Sequence, residues 1–143
     1  HFFISVLNRH GPESYRATDA KLQLIWMLGG HLSDEEVLVC LLSFLEDHSD
    51  DVRWAVIDLL ESAVDAQPEG AALIERCATS LGQLLVEEVV SPRILQRAAN
   101  IMCERGWTVG GDSQELHQDL EGAYFLDKKR YVRRRARPNS LKA

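Results

Sequence analysis

The chain has 143 residues, 45% of them hydrophobic and 27% charged, with only four prolines; this is the composition of one folded domain and excludes a disordered or collagen-like polypeptide. No apolar run approaches the roughly 18–20 residues that a membrane-crossing helix needs. The net charge of −6 conceals an asymmetry: all 22 acids lie at or before Asp127 with eight Lys and Arg, so residues 1–127 carry −14 and residues 128–143 carry +8. This division predicts an acidic folded domain over 1–127 and a basic C-terminal tail over 128–143.

The chain opens on His1 and not Met, which suggests a start inside a longer product, with any targeting signal upstream of it. Cys40, Cys77 and Cys103 are odd in number, far apart and set in apolar helical patterns. They read as small buried hydrophobes of a reducing compartment, so a cytoplasmic location is expected.

In chain order, FFISVLNRH (2–10) reads as a short helix broken at Gly11-Pro12. Residues 12–30 form its partner, with Ala17, Ala20, Leu24 and Leu28 as the apolar stripe and Gly29-Gly30 as the stop. SDEEVLVCLLSFLED (33–47) opens on a capping-box pattern, Ser33 followed by Glu36, and places Val37, Leu38, Leu41, Leu42 and Leu45 on one side. After a short turn, Val52, Ala55, Val56, Leu59, Leu60 and Ala63 recur at spacings of three and four, a helical stripe preceded by Ser49, Asp50 and Asp51 as capping residues. So short a connection forces the two helices antiparallel.

The same unit recurs at 69–88 and 91–106, with Ser91 as N-cap, Pro92 at the first helical position and Gly106 as the stop. After the turn-rich TVGGDSQ (108–114), residues 115–132 read as one more helix through Leu116, Leu120, Ala123 and Tyr124, capping the open end of the last hairpin. The predicted fold is therefore all-α: a short right-handed α-solenoid of three antiparallel helical hairpins plus a C-terminal capping helix. Its second helices align at Ala20, Ala55 and Ala98, 35 and 43 residues apart, near the period of stacked two-helix repeats.

The segment LLSFLEDHSDDVRWAVIDLLESA (41–63) resembles the HEAT repeat and its HEAT-like relatives named after phycobilisome lyases. A leucine-rich first helix, an acidic turn, and the Val52-Arg53 step followed by Ala55 and Leu59 carry the resemblance. The middle unit, about 33–64, matches well; in the flanking units Thr18 and Gln96 stand where Arg53 does. The resemblance implies a structural role for Arg53, in a buried polar ladder with Asp47, Asp50 or Asp51. It also implies two enzyme alternatives, bilin lyase and DNA base glycosylase, of which the second is disfavoured because acidic second helices repel a phosphate backbone.

Local motifs for chemistry are absent. Five histidines show no HExxH or i,i+4 pair, the glycine pairs lack the context of a phosphate loop, and no base marks out a Ser or Cys nucleophile. Neither a cofactor, a metal nor a catalytic activity is expected. On the second helix of the middle unit, Trp54, Asp58 and Glu61 fall opposite the apolar stripe. The alignment carries this strip to Asp19, Gln23 and Trp26 in the first unit and to Arg97, Ile101 and Glu104 in the third. Two tryptophans beside several acids suit a basic or amphipathic protein or peptide partner, so an adaptor or scaffold is the leading expectation. The rival is nucleic-acid or anionic-surface binding through Lys128, Lys129, Arg130, Arg133, Arg134, Arg135 and Arg137.

Overall fold

The computed structural model describes residues 18–66, 72–86 and 91–136. The expected helix at 2–10, the start of its partner and Arg137 lie outside them. Among the described residues five α-helices dominate: α1 (Thr18–Leu28), α2 (Glu35–Ser43), α3 (Asp50–Asp65), α4 (Ala72–Leu84) and α5 (Pro92–Arg105). Single 3-10 turns lie at Gly29–His31, Phe44–Glu46 and Gln118–Leu120, and a two-stranded antiparallel hairpin joins β1 (Tyr124–Leu126) to β2 (Val132–Arg134). The chain divides into two compact units, His1–Ile74 and Glu75–Ala143, with the boundary inside α4.

In the first unit α1 and the 3-10 turn at Phe44–Glu46 both pack on α3, burying Ile25, Leu28, Leu41, Phe44, Val52, Val56, Ile57 and Leu60. The N-cap of α2 is Asp34 and not Ser33: its Oδ1 accepts from the Glu36 N–H at 2.9 Å and the Val37 N–H at 3.4 Å. A carboxylate offers the exposed N–H groups of the first turn both an acceptor and a countercharge, which a serine hydroxyl does not. Ser49 caps α3 as its sequence suggests, accepting from the Val52 N–H.

The stripe on α1 is also rotated from expectation. Lys21, Ile25 and Leu28 are buried, whereas Ala20 and Leu24 are half-buried. The reason is an ion pair: Lys21 Nζ lies 2.8 Å from Asp47 Oδ1, both side chains 1% exposed, and 5.8 Å from the centre of the Phe44 ring. Asp47 Oδ2 in turn accepts from the Ser49 N–H at 2.9 Å, so the lysine of α1 is tied to the turn that starts α3.

In the second unit α5 is capped by Ser91, begins on Pro92 and ends on Gly106 in the left-handed conformation (φ 67°). The Trp107 N–H reaches back to the Met102 carbonyl at 3.1 Å, closing a Schellman-type end. Cys77, Leu81, Leu84, Ile94, Leu95, Ala98 and Met102 supply the helical part of the core.

The capping helix expected over 115–132 does not form. Leu116, Leu120 and Tyr124 are all buried, but they come from an irregular segment, a 3-10 turn and a strand; a spacing of four suits a helix without requiring one. The local chemistry favours a hairpin. Tyr124-Phe125-Leu126 and Tyr131-Val132 have strand propensity, and Asp127 Oδ1 accepts from the Lys129 and Tyr131 N–H groups, each at 2.9 Å. The Asp127 carbonyl also accepts from the Arg130 N–H, and Arg130 sits at φ 71°. This is the three-residue hairpin loop with a left-handed last position.

Breaking a buried pair on one side leaves a desolvated charge. Asp47→Ala is expected to cost about 3–5 kcal/mol in urea unfolding, and Lys21→Met/Asp47→Ala to recover part of that loss. Equal stability of single and double variants would show that the charges are not coupled.

Candidate interaction faces

On α1 the predicted residues Asp19, Gln23 and Trp26 are all exposed, at the spacing that puts them along one face. Trp26 is 55% and its neighbour Met27 53% exposed, the two largest apolar exposures among the described residues. On α3, Trp54, Asp58 and Glu61 are half-buried, and each already has an interaction within the protein. In the second unit Arg97 is half-buried and engaged, Ile101 is buried, and Glu104 is exposed and held by Arg134. The strip aligned across three helices is therefore an open surface on α1 and a partly filled one on α3 and α5.

Charge distinguishes the first unit. Residues 18–66 hold eleven Asp and Glu against two cations, Lys21 and Arg53, and both cations are buried. Lys21 is consumed by Asp47. Arg53 Nη1 lies 3.3 Å from Asp50 Oδ1, while its buried Nε has no hydrogen-bond partner among the described residues. Asp50 is thus the partner of Arg53 within the expected set of turn aspartates. The described surface of this unit bears acids, exposed Trp26, Met27 and Val39, and no exposed Lys or Arg.

The basic run after Asp127 is the candidate polyanion site, and its described arginines bind their own unit. Arg130 Nε donates to the Val109 carbonyl (2.6 Å), Nη1 to that of Ser113 (2.8 Å) and Nη2 to that of Gly110 (3.0 Å). Arg133 pairs with Asp127 at 2.9 Å and lies over the Tyr131 ring. Arg134 reaches Glu104 at 3.1 Å and Asn100. Arg135 donates to the Glu121 carbonyl and covers Phe125. Lys128 and Lys129 are exposed at the tip of the hairpin.

A left-handed position normally favours glycine, since another residue pays on the order of 1–3 kcal/mol there. At Arg130 three hydrogen bonds from one guanidinium to the 109–113 segment offset that cost. No signal in the sequence distinguishes this arginine from its neighbours; only the pairing of segments 21 residues apart reveals it.

Among the described residues no cluster of three or more His, Cys, Asp or Glu is arranged to hold a metal. Burial raises the Cys40 thiol above its ordinary range, with Glu36 adding to the shift. Burial also pushes the Cys77 thiol up to about 11 against the pull of Arg76 and Arg105. At neutral pH both are protonated and are poor nucleophiles.

Two outcomes test the hairpin. Arg130→Gly relieves the backbone but loses the three hydrogen bonds, and Arg130→Ala loses them without relief; both should lower the melting temperature, Ala more than Gly. The second concerns acid. The Tyr131 N–H, then Arg133 and the Lys129 N–H, hold the Asp127 carboxyl below its ordinary range. Its contribution is present above the ordinary carboxylate value and disappears as pH falls through the lowered one. The Tyr131 amide should lose exchange protection in that acid window, and Asp127→Ala should abolish the transition.

Comparison with known proteins finds no match: no protein-family model, no curated protein and no solved structure is similar to this chain.

Proposed function

We propose that this protein is a non-enzymatic interaction module of the adaptor or scaffold kind, built on a HEAT-like arrangement of helical hairpins and working in the cytoplasm. Its partner is a basic, amphipathic protein segment, held on the second-helix face that begins at Asp19, Gln23 and Trp26. One observation carries the reading: Trp26 and Met27 stand exposed on a unit whose described residues hold eleven acids and only two cations, both of them buried. Exposed aromatic and thioether side chains supply contact area, and an excess of carboxylates over cations selects cationic partners and raises their association rate. Trp54, Asp58 and Glu61 support this reading less directly because they are already engaged. The polyanion alternative is weaker, since Arg130, Arg133, Arg134 and Arg135 are committed to acceptors in their own unit.

The test uses two fluorescein-labelled amphipathic helical peptides with one apolar face and either Lys or Glu at every polar position. The Lys peptide should bind with an affinity that falls as salt is raised, and the Glu peptide should not. Trp26→Ala should weaken capture about tenfold, which corresponds to about 1.4 kcal/mol, with the melting temperature unchanged. Equal binding of both peptides, or indifference to Trp26→Ala, would refute the reading.

A further inference from the structure

The hairpin has two edges, and they differ. Backbone bonds across its two ends run from the Asp127 N–H to the Tyr131 carbonyl (3.0 Å) and from the Arg135 N–H to the Ala123 carbonyl (2.8 Å). With Tyr124 opposite Arg134, Phe125 opposite Arg133 and Leu126 opposite Val132, alternation makes Phe125 and Arg133 a hydrogen-bonded pair. The N–H and C=O groups of Tyr124 and Leu126 then point away from β2. On the outer side of β2 the chain covers itself, because Thr108 bridges Tyr131 and the Val109 N–H donates to the Arg130 carbonyl. On the outer side of β1, Tyr124 and Leu126 have no backbone partner among the described residues.

An open cleft of about 640 Å³ lies along that outer side, lined by Gln114–Leu116 and by all three residues of β1, with Glu121 and Arg135. Consecutive strand residues face opposite ways, so a cleft touching Tyr124, Phe125 and Leu126 together follows the edge of the strand and not one face of it. None of the β2 residues Val132–Arg134 lines it. Its volume is that of an ordinary ligand site.

We infer that the outer edge of β1 accepts an extended peptide by strand addition, in the second unit and independently of the face on α1. An extended backbone is the ligand that satisfies two N–H donors and two carbonyl acceptors repeating at every second residue. The lining specifies the side chains. Buried Tyr124 and Leu116 with half-buried Leu126 form an apolar wall, while the exposed carboxylates Glu115 and Glu121 lie beside it. Arg135 gives its Nε–H to the Glu121 carbonyl and lies over the Phe125 ring, and the two carboxylates outnumber its single charge in the lining. The peptide is therefore one that alternates apolar with basic residues.

The experiment selects binders to the full chain from a displayed library of random octapeptides and synthesises the enriched sequences. Each is also made with N-methyl groups on alternate backbone amides, which leaves the side chains but removes the donors. Enrichment of alternating apolar and basic residues is expected, with binding about tenfold weaker after N-methylation. New exchange protection should appear at the Tyr124 and Leu126 amides, while Phe125 is protected from the start. Leu126→Pro removes an N–H that the hairpin does not use, a change that edge strands tolerate; it should abolish binding while Tyr131 stays protected. If the proline disturbs the hairpin, the N-methylated peptides decide the matter. Four results would overturn the proposal: no enrichment, binding indifferent to N-methylation, Tyr124 and Leu126 amides protected in the free monomer, or protection that grows with protein concentration as β1 pairs with a second copy. Because the probe site excludes Trp26, its failure leaves the α1 reading untouched.

Discussion

The first unit turns on one buried ion pair. Lys21 and Asp47 are each 1% exposed and 2.8 Å apart, and such a pair is held only where geometry and further hydrogen bonds repay its desolvation. Here Asp47 also accepts from Ser49, the N-cap of α3, and Lys21 sits over Phe44. The rotation of α1, the entry angle of α3 and the placement of the intervening 3-10 turn therefore answer to the same four atoms. A well-packed apolar pair would be as stable or more so. The charged pair adds direction, since a lysine in an otherwise apolar stripe permits few rotations of its helix.

That rotation has a consequence for the surface. Turning Lys21, Ile25 and Leu28 inward puts Asp19, Gln23, Trp26 and Met27 outward. Taking both described cations of this unit into its interior leaves its described surface with acids and no exposed Lys or Arg. Burial of two positive charges and display of a negative apolar face are thus two aspects of one packing choice. The second unit treats its cations in the opposite way. Arg130, Arg133, Arg134 and Arg135 are not buried but give donors to nearby carbonyls and carboxylates, which makes this part of the basic run a structural clasp. Arg130 is the clearest case, because its guanidinium holds 109–113 while its backbone occupies a conformation that glycine would take without cost.

The candidate face was partly legible. Alignment with the middle unit identified Asp19, Gln23 and Trp26 as a strip, and they are exposed together. It treated Trp54, Asp58 and Glu61 as their equivalents, but an angle around one helix does not say what packs against that angle, and these three are half-buried. The buried Lys21 had a signal that charge patterning alone passes over. It lies four residues before Ile25 and seven before Leu28, on the face that the helix buries.

Sequence by itself determined what depends on near neighbours: the helices over 50–65 and 92–105, their serine caps, the stop at Gly106 and the division into an acidic 1–127 and a basic 128–143. These follow from local hydrogen bonding and 3.6-residue periodicity, which act within a few residues. Only the tertiary structure decided that Leu116, Leu120 and Tyr124 reach the core through a turn and a hairpin, that Lys21 finds Asp47 across 26 residues and that Arg130 finds Val109 across 21. Each outcome rests on a contact between distant segments, and the free energy of such a contact exists only once both segments have been brought together and removed from water.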